Sequence, residues 1–486
     1  MIRIRVQPQN ISLEARWGEQ LLAVLRRAGL APEAPCGGNG TCGKCTVLID
    51  GQPVRACQVT VHAGLTVTIP QEAELKILSP KLPEPSPVSG SEMYAAVDIG
   101  TTSLVCCLLD GESGSIVATA SAPNPQAPFG ADVVSRIRAA LTGEMEALTR
   151  LIRERVNQLL RQCCVLRGIA PDSIRRVCIV GNPAMQQLFL GISPENLVQI
   201  PFCPALRIAA SQPCGDILPL CPDAQLLTVP DFSGYVGADT IGCIVASQMY
   251  KSREITLLVD IGTNGEMVLG NTQRLVACAT AAGPALEGAN IRFGMNARPG
   301  AIDHVWLVDG NIRFSTIDNG EPVGICGSGL IDAAAVFLEL GKMNPRGRIA
   351  PGEEVNGERI LRLTDHIYLT QEDIRQLQLA KGAIQAGIRL MMAHMGITAE
   401  EIHRVLLAGT FGTWLNPDNA CRIGLLPPEL RGKIESIGNA ALDGACLMAT
   451  DQDLFKRTED LVMGTECLEL ASLPEFPKSY AAAMRF

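Results

Sequence analysis

The chain has 486 residues, 47% hydrophobic and 19% charged, which is enough apolar material for more than one packed core and far from a disordered composition. Its 41 basic and 50 acidic side chains leave a formal charge of -9, which argues against nucleic acid or an anionic membrane as the main partner. No apolar run approaches the ~20 residues needed to cross a bilayer, and Met1 to Gly18 lacks the apolar core of a signal peptide, so the expected location is the cytoplasm, where 18 cysteines are no disulfide framework.

In chain order, Ile2, Ile4 and Val6 alternate as a strand, and Glu19 to Ala28 reads as a short amphipathic helix. A glycine-rich loop follows with Cys36, Cys42 and Cys45, and Cys57 returns from the next strand, giving the spacing C-x5-C-x2-C-x11-C. Thiolates are soft ligands for iron, and Gly37, Gly38, Gly40 and Gly43 let the backbone turn its amides toward the sulfurs of a small cluster. Structural zinc is the competing reading, but zinc sites usually pair two short cysteine knuckles and this segment has one. The order strand, strand, helix, cysteine loop, strands resembles the β-grasp fold of 2Fe-2S ferredoxins. The short interval from Cys45 to Cys57 is similar to that in the ferredoxin domain of succinate dehydrogenases. Gly38 to Lys44 nearly spells a P-loop, yet Cys45 stands where a Ser or Thr should hold magnesium. Residues 1 to 75 carry seven basic and six acidic groups, so simple charge attraction is not expected to recruit an electron donor.

From Ser79 to Ser91 the chain runs SPKLPEPSPVSGS, whose four prolines predict a semi-stiff extended tether. Beyond it, Ala96 to Leu109 (AVDIGTTSLVCCLL) is echoed by Leu258 to Leu269 (LVDIGTNGEMVL). Each copy is an apolar strand ending in aspartate, a Gly-Thr turn and a second strand. Such a turn offers backbone amides and hydroxyls to a phosphate, and the carboxylate suits a hydrated magnesium ion. A single Asp-x-Gly-Thr could be a structural turn; the pair is far more specific. Between the copies, apolar residues at 145, 148, 152, 156 and 159 predict an amphipathic helix within Val133 to Leu160. Arg176 to Val180 reads as a strand, followed by a turn at Gly181-Asn-Pro183. Val405 to Pro417 is an apolar strand broken at Gly409 and Gly412, with a helix expected near Asn416.

The paired hairpins resemble the phosphate loops of the acetate and sugar kinase, heat-shock chaperone and actin superfamily. The resemblance implies duplicated α/β lobes that bind ATP between them. Gly100, Thr101, Thr102 and Ser103 would form the first loop, and Gly262, Thr263, Asn264 and Gly265 the second. Gly409, Thr410, Phe411 and Gly412 resemble the adenosine motif, although Thr410 and Phe411 interrupt its usual adjacent glycines. Gly324 to Asp332, with Gly327 at the nucleotide, and Gly438 to Ala445 resemble the small-residue helices that connect the lobes. Asp98 and Asp260 would orient magnesium and water, and Glu266 falls where related phosphatases carry a water-positioning carboxylate. Lys381 is a further candidate for nucleotide contact. The remaining cysteines, including Cys106-Cys107 and Cys163-Cys164, read as buried small hydrophobes, because strand neighbours point to opposite faces.

The whole order, with DIGTT, DIGTNGE, AAGPALEGANIRFGM, GICGSGLID and LAGTFG in sequence, resembles the reductive activators of corrinoid proteins. The expected fold class is α/β multidomain. A 2Fe-2S ferredoxin domain (1–75), a Pro-rich linker (76–92) and two lobes of an actin-like, ribonuclease H-like ATPase (93–253 and 254–486) make up the chain. The resemblance implies a 2Fe-2S cluster on Cys36, Cys42, Cys45 and Cys57, together with ATP and Mg2+. It also implies a homodimer that uses an unidentified electron donor to reduce the Co(II) corrinoid of a methyltransferase-system partner to Co(I). No D-x-H-x-x-G cobalamin pattern surrounds any of the five histidines, so the corrinoid belongs to the partner. Many relatives have a longer stretch between the third and fourth cysteines and a small middle domain that this chain lacks. An ATP-driven chaperone or docking module with the cluster as a redox sensor is the alternative from another class. Activators of 4Fe-4S dehydratases usually hold their cluster at a dimer interface, and a small-molecule kinase has no use for the iron-sulfur unit.

Overall fold

The computed structural model of the chain describes residues 1–34, 36–40, 42–70, 88 and 90–486, so nearly all of the expected tether lies outside the described residues. The first unit comprises β1 (Ile2–Gln7), β2 (Ile11–Ala15), β3 (Glu19–Gln20), helix α1 (Leu21–Arg27), β4 (Thr46–Ile49), β5 (Gln52–Arg55), β6 (Thr60–Val61) and β7 (Leu65–Thr68). Ile4 and Val6 are buried while Arg3 and Arg5 face water, the period-two alternation of a strand with one covered face. The sheet order is β2-β1-β7-β4-β5, and Leu21, Leu22 and Leu25 of α1 join its core. The helix starts at Leu21, later than its pattern suggests, because Glu19 and Gln20 pair with Val61 and Thr60 as a short strand.

The second unit runs through β8 (Met93–Ile99), β9 (Ser103–Asp110), β10 (Ile116–Pro123), α2 (Val133–Ala139), α3 (Met145–Arg167), β11 (Ile174–Gly181), α4 (Pro183–Leu190), β12 (Ala210–Pro213), β13 (Gln225–Thr228) and α5 (Ala238–Ser247). The single helix expected over this stretch is two, because Thr142 and Gly143 leave helical geometry, Gly143 at φ 106°. Leu148, Ile152, Val156 and Leu159 of α3 form its buried stripe.

The third unit contains β14 (Ile255–Ile261), β15 (Gly265–Gly270), β16 (Leu275–Thr280), β17 (Ala301–Val308), β18 (Asn311–Thr316), β19 (Gly324–Ile325), α6 (Gly327–Glu339) and the small strands β20 (Glu354–Val355), β21 (Glu358–Arg362) and β22 (Tyr368–Thr370). It continues with α7 (Gln371–Met395), β23 (Ile402–Ala408), α8 (Gly409–Trp414), α9 (Pro417–Arg422), β24 (Ile434–Ser436), α10 (Ala440–Thr450), α11 (Gln452–Gly464), β25 (Thr465–Cys467) and α12 (Phe476–Ala483). A capping box between Thr370 and Asp373 starts α7, and Gly396, left-handed at φ 69°, ends it.

The two large sheets repeat one topology. The order β10-β9-β8-β11-β13 corresponds to β16-β15-β14-β23-β24, with an antiparallel hairpin followed by parallel crossover strands in each. This is the expected duplicated α/β architecture. Its strands are apolar on both faces because both faces are covered. In β9, Cys106 and Leu108 enter the outer core of the second unit, while Val105, Cys107 and Leu109 enter a core shared between the two sheets.

That shared core is built on α5 and α10, and here the structure differs from expectation. The helix after Gly438 does run between the lobes, but its partner is α5; α6 packs against β17 and α9 instead. A Cβ on Gly444 would lie 2.0 Å from the Gly242 carbonyl oxygen, and one on Gly242 would lie 2.5 Å from the Ala441 oxygen. The two helix backbones therefore touch, which only glycine permits. Gly444→Ala is expected to push them apart and destabilise the protein by about 1–3 kcal/mol, the usual range for overpacking. Thermal denaturation will show a lower midpoint, with nucleotide affinity lost and iron content retained.

Candidate functional site

Each hairpin turn emerges where its sheet ends, and in the first turn donors from behind hold the carbonyls. Asn124 Nδ2 donates to Gly100 O at 2.8 Å, the Asn124 amide to Thr102 O at 2.9 Å, and Arg136 Nη2 to Thr101 O at 2.6 Å. Asn182 caps α4 and donates to Thr101 Oγ1 at 3.1 Å. With its carbonyls engaged on the far side, the first turn is free to present amides to the cleft. In the second turn the Gly262 amide donates to Asn264 O at 2.9 Å, and Gly283 N to Thr263 O at 2.9 Å.

The two turns face one cleft of about 680 Å³. Its lining includes Asp98, Gly100, Thr101, Thr102, Ser103 and Asn182 from one side. Asp260, Gly262, Thr263, Asn264 and Glu266 line the other, with Gly327, Gly409 and Phe411 nearby. Two expected residues lie outside the lining: Gly265 packs against Ile384 and Thr280, and Gly412 against Leu407. The side chain of Thr410 lies outside the described residues. The expected helix near Asn416 exists as α9, but α8 already begins at Gly409. Gly409 is held at φ 80°, and a Cβ there would sit 2.5 Å from Asp260 Oδ1, so the carboxylate itself requires glycine at this position. Lys381 is elsewhere. It is buried in α7, donates to the Arg485 carbonyl and has its pKa pushed down to about 7 by burial, so its place in the fold is to anchor the C-terminal segment.

Four residues complete the cleft that the sequence pattern did not reveal. Asp239, in the first turn of α5, lines it between Asp98 and Asp260. Asn439 caps α10 through the Leu442 amide and donates Nδ2 to Asp98 Oδ2 at 3.0 Å. Asn182 does the equivalent for α4, and the shared signal was a Gly-Asn pair before a small-residue helix: Gly181-Asn182 and Gly438-Asn439. Glu287 joins the lobes, because its Oε2 accepts from Thr263 Oγ1 at 2.9 Å and from Thr102 Oγ1 at 3.4 Å.

Electrostatically, the cleft crowds like charges. Asp260 and Glu266 stand directly opposite each other on β14 and β15, where facing carboxylates destabilise an ionised pair. Burial pushes Asp98 up to about 7, against the Asn439 hydrogen bond and with help from Asp239 and Asp260. Burial, then Asp239, raises Asp260 to about 7, and burial raises Asp239 to about 6. Glu266 is raised further by burial, Asp239 and Asp260, and Glu287 by burial. Water reaches these carboxylates through the cleft, yet protein surrounds each on most sides. A polyanion alone would not be drawn here; a divalent cation that neutralises the acids would make the amide-lined turns attractive to phosphate. Among the described residues no three ligand side chains gather on one point, so a hard cation would keep most of its waters.

The thiol loop is a second site. Cys36 and Cys42 place their sulfurs 3.2 Å apart, and Cys45 and Cys57 lie within hydrogen-bond reach of each other. Cys36 acts electrostatically on both pairs. Two thiol pairs fit two irons, two ligands each, better than one tetrahedral zinc. Gly37, Gly38, Gly40 and Gly43 all have positive φ, between 67° and 94°, so the loop curls around the sulfurs. Burial pushes Cys57 up to about 11 and Cys42 upward, so these thiols give up their protons only when a metal supplies the countercharge. The other cysteines are free; Cys106 lies against Cys163 and Cys107 against Cys446, on opposite faces of β9 as strand geometry requires.

Three family models match the chain: a 2Fe-2S iron-sulfur cluster binding domain at residues 4–65, the RACo middle region at 94–252, so that the middle region expected to be missing is present and coincides with the first lobe, and the C-terminal domain of RACo, the ASKHA domain, at 254–486. Corrinoid activation enzyme RamQ from Eubacterium limosum is 34% identical over 409 residues, covering 79% of this chain and 69% of its own. The [Co(II) methylated amine-specific corrinoid protein] reductase of Methanosarcina barkeri is 26% identical over 385 residues, 72% of this chain and 68% of its own. A solved structure of a reductive activator for corrinoid, iron-sulfur protein superposes with a TM-score of 0.72 at 29% identity, over 100% of this chain and 98% of that one. Among the described residues no helix is long and apolar enough to cross a membrane.

Because Asp260 is less acidic folded than unfolded, its ionisation opposes folding as pH rises from about 4, its unfolded value, through about 7. Asp260→Asn should therefore raise the thermal midpoint of the nucleotide-free protein most above pH 7. The gain should shrink as pH falls toward 4.

Proposed function

The chain belongs to the reductive activators of corrinoid proteins, and from that premise we propose that it uses ATP to drive one electron onto the inactive Co(II) corrinoid of a methyltransferase-system partner, restoring Co(I). The electron comes from a 2Fe-2S cluster on Cys36, Cys42, Cys45 and Cys57 in residues 1–75, a domain tethered by 76–92 to lobes at 93–253 and 254–486. When bound, the cluster supplies a one-electron carrier, near roughly -400 mV for plant-type centres. Every ~59 mV by which the acceptor is harder to reduce costs a factor of ten in equilibrium constant, so coupling to hydrolysis serves an uphill transfer. The protein works in the cytoplasm, where the fourteen cysteines outside the cluster stay reduced, and, as family membership implies, as a homodimer.

In this reading the amides of Gly100 to Ser103 and of Thr263 and Asn264 bind the phosphates, and Phe411 with Trp414 gives the base an apolar wall. Asp98 and Asp260 would hold a hydrated Mg2+, which would supply positive charge to the carboxylates and the phosphate oxygens. Glu266, directly across from Asp260, and Asp239, at the start of an interlobe helix, orient the attacking water and accept its proton. Glu287 tells the lobes whether the cleft is filled, because phosphate oxygens compete for the hydroxyls of Thr102 and Thr263 that it now holds. The observation that carries the proposal is that one chain joins two thiol pairs to two opposed phosphate turns, with the thiol-bearing unit seated on the lobe that supplies the first turn.

The decisive measurement is the rate at which the iron-loaded protein reduces a Co(II) corrinoid protein, followed spectroscopically with and without MgATP. A rate indifferent to nucleotide, or purified protein without iron and acid-labile sulfide, overturns the reading. A remodelling module instead predicts nucleotide-driven partner release with no cobalt reduction. Cys42→Ser is expected to abolish reduction while ATP affinity stays within a factor of two. The Mg2+-dependent part of nucleotide affinity should rise from pH 6 to pH 8, because the deprotonated forms of Asp98 and Asp260, both near 7, take the cation. The rise is about tenfold per carboxylate, and Asp98→Asn should lessen it.

A further inference from the structure

Arg26 is an unusual residue for an exposed face of a small helix: it is 9% exposed and points out of its own domain. Its Nε and Nη2 both donate to the Pro128 carbonyl oxygen, at 2.8 and 2.6 Å, across 102 residues of sequence. The guanidinium lies 5.2 Å from the centroid of the Phe129 ring. On the other side it touches the cysteine loop, for a Cβ on Gly38 would come within 3.3 Å of Arg26 Nη2. Burial opposes its charge, and the groups that favour that charge are Glu144 and the sulfurs of Cys45, Cys36 and Cys57.

The segment it grips leads straight to the first phosphate turn. Pro128 and Phe129 belong to a single helical turn (Ala127–Phe129) that ends at Gly130. The fully buried Arg136 donates Nε to Gly130 O at 3.0 Å, Nη1 to Gln126 Oε1 at 3.4 Å and Nη2 to Thr101 O at 2.6 Å. Asn124, at the other end of the segment, holds Gly100. Two buried guanidinium groups thus grasp residues 124–130 from opposite sides, one under the thiol loop and one behind the phosphate turn. Each link is a charge-assisted hydrogen bond in a low-dielectric setting, where a small displacement changes the field appreciably.

We propose that Arg26 is the positioning residue through which the iron-sulfur loop and the first phosphate turn sense each other. One electron entering the thiol-bound cluster adds one negative charge and moves no atom, so a fixed cation beside the sulfurs favours the reduced form. Phosphates that reorder Gly100 to Thr102 pull on Arg136 and the 124–130 segment, and so on Arg26. Coupling of this kind is reciprocal: if nucleotide changes the ease of reduction by some factor, reduction changes nucleotide affinity by the same factor. The inference rests on the proposed iron-sulfur site and needs no corrinoid partner. Its failure is therefore distinguishable from failure of cobalt reduction.

The test is a reductive titration of the iron-loaded full chain with dithionite and low-potential viologen mediators, read by electron paramagnetic resonance, with and without MgADP. For Arg26→Gln, the ratio of reduced to oxidised cluster at a fixed potential should fall about tenfold, a shift of ~59 mV for one electron. In the native protein MgADP should change that ratio at least fivefold, the low end of ordinary coupling, and in Arg26→Gln it should leave it unchanged. MgADP affinity of the oxidised variant should remain native, showing that the phosphate turns are intact. Arg26→Lys keeps the charge without the two-donor grip, so its potential should stay near native while the MgADP effect is lost; it carries the test if Arg26→Gln fails to retain iron. A native potential in Arg26→Gln, a MgADP effect that survives in both variants, or no MgADP effect in the native protein would each overturn the proposal.

Discussion

Two helix backbones in direct contact fix the geometry on which the cleft depends. Gly242 of α5 and Gly444 of α10 approach so closely that neither could carry a side chain. Their helices fill the space between two sheets whose five equivalent strands share one order. Because α5 carries Asp239 in its first turn and α10 is capped by Asn439, the same contact places one acid and one amide in the cleft. Small residues at a helix crossing leave the lobes free to slide by shear while the sheets stay rigid. The chemistry is thereby tied to that contact, for any change in the crossing moves Asp239 relative to Asp260 and Asn439 relative to Asp98.

The duplication is close in backbone and unequal in charge. Asp98 and Asp260 occupy equivalent strand ends, but Asp98 faces Val105 across its hairpin whereas Asp260 faces Glu266. The first lobe therefore brings Asp98 and Asp239 to the cleft, and the second brings Asp260 with the facing Glu266. Crowding several acids is unfavourable without a counterion, so the nucleotide-free cleft holds them at elevated pKa values and is poised for a cation to release those protons. Gly409 and Gly181 make the same point in steric terms: each sits after a parallel crossover strand, where a side chain would strike Asp260 Oδ1 or the Ile99 carbonyl.

Legibility in the sequence followed the locality of the chemistry. Cysteine spacing is local, so the gathering of four thiols at one loop is legible directly, and the Asp-x-Gly-Thr turns are legible because they occur twice. The interlobe partner of α10 is not legible because no local pattern sets Gly242 apart from the glycines of Gly324 to Asp332, and only packing tells which helix meets Gly444. Residues that act at long range left little trace. Asn439 reaches Asp98 across 341 residues, and Thr102 meets Glu287 across 185. Arg26 looked like any basic residue near the end of an amphipathic helix, and nothing local distinguishes one that turns inward to another domain. Gly265 and Gly412 failed as site residues for the opposite reason: a motif marks a turn as a whole, while the glycine that touches the ligand depends on which side packs.

The seat of the thiol-bearing unit on the first lobe bears on how hydrolysis could act at a distance. The second lobe carries Glu266 and so the greater share of the acids, while the first turn, through Arg136 and residues 124–130, leads to the thiol loop. Glu266 and the redox-sensing path would then lie on different halves of the clamp, with Asp239 on the first half and Glu287 holding one hydroxyl from each. A phosphate entering between Thr102 and Thr263 would loosen that carboxylate and change the load on the first turn before any bond breaks. Binding and cleavage would thereby have separate effects on the cation beside the sulfurs, and an activator with this layout can admit an electron in one nucleotide state and release it in another. An arrangement with both functions on a single lobe would lack that distinction, because the clamp would move as one body.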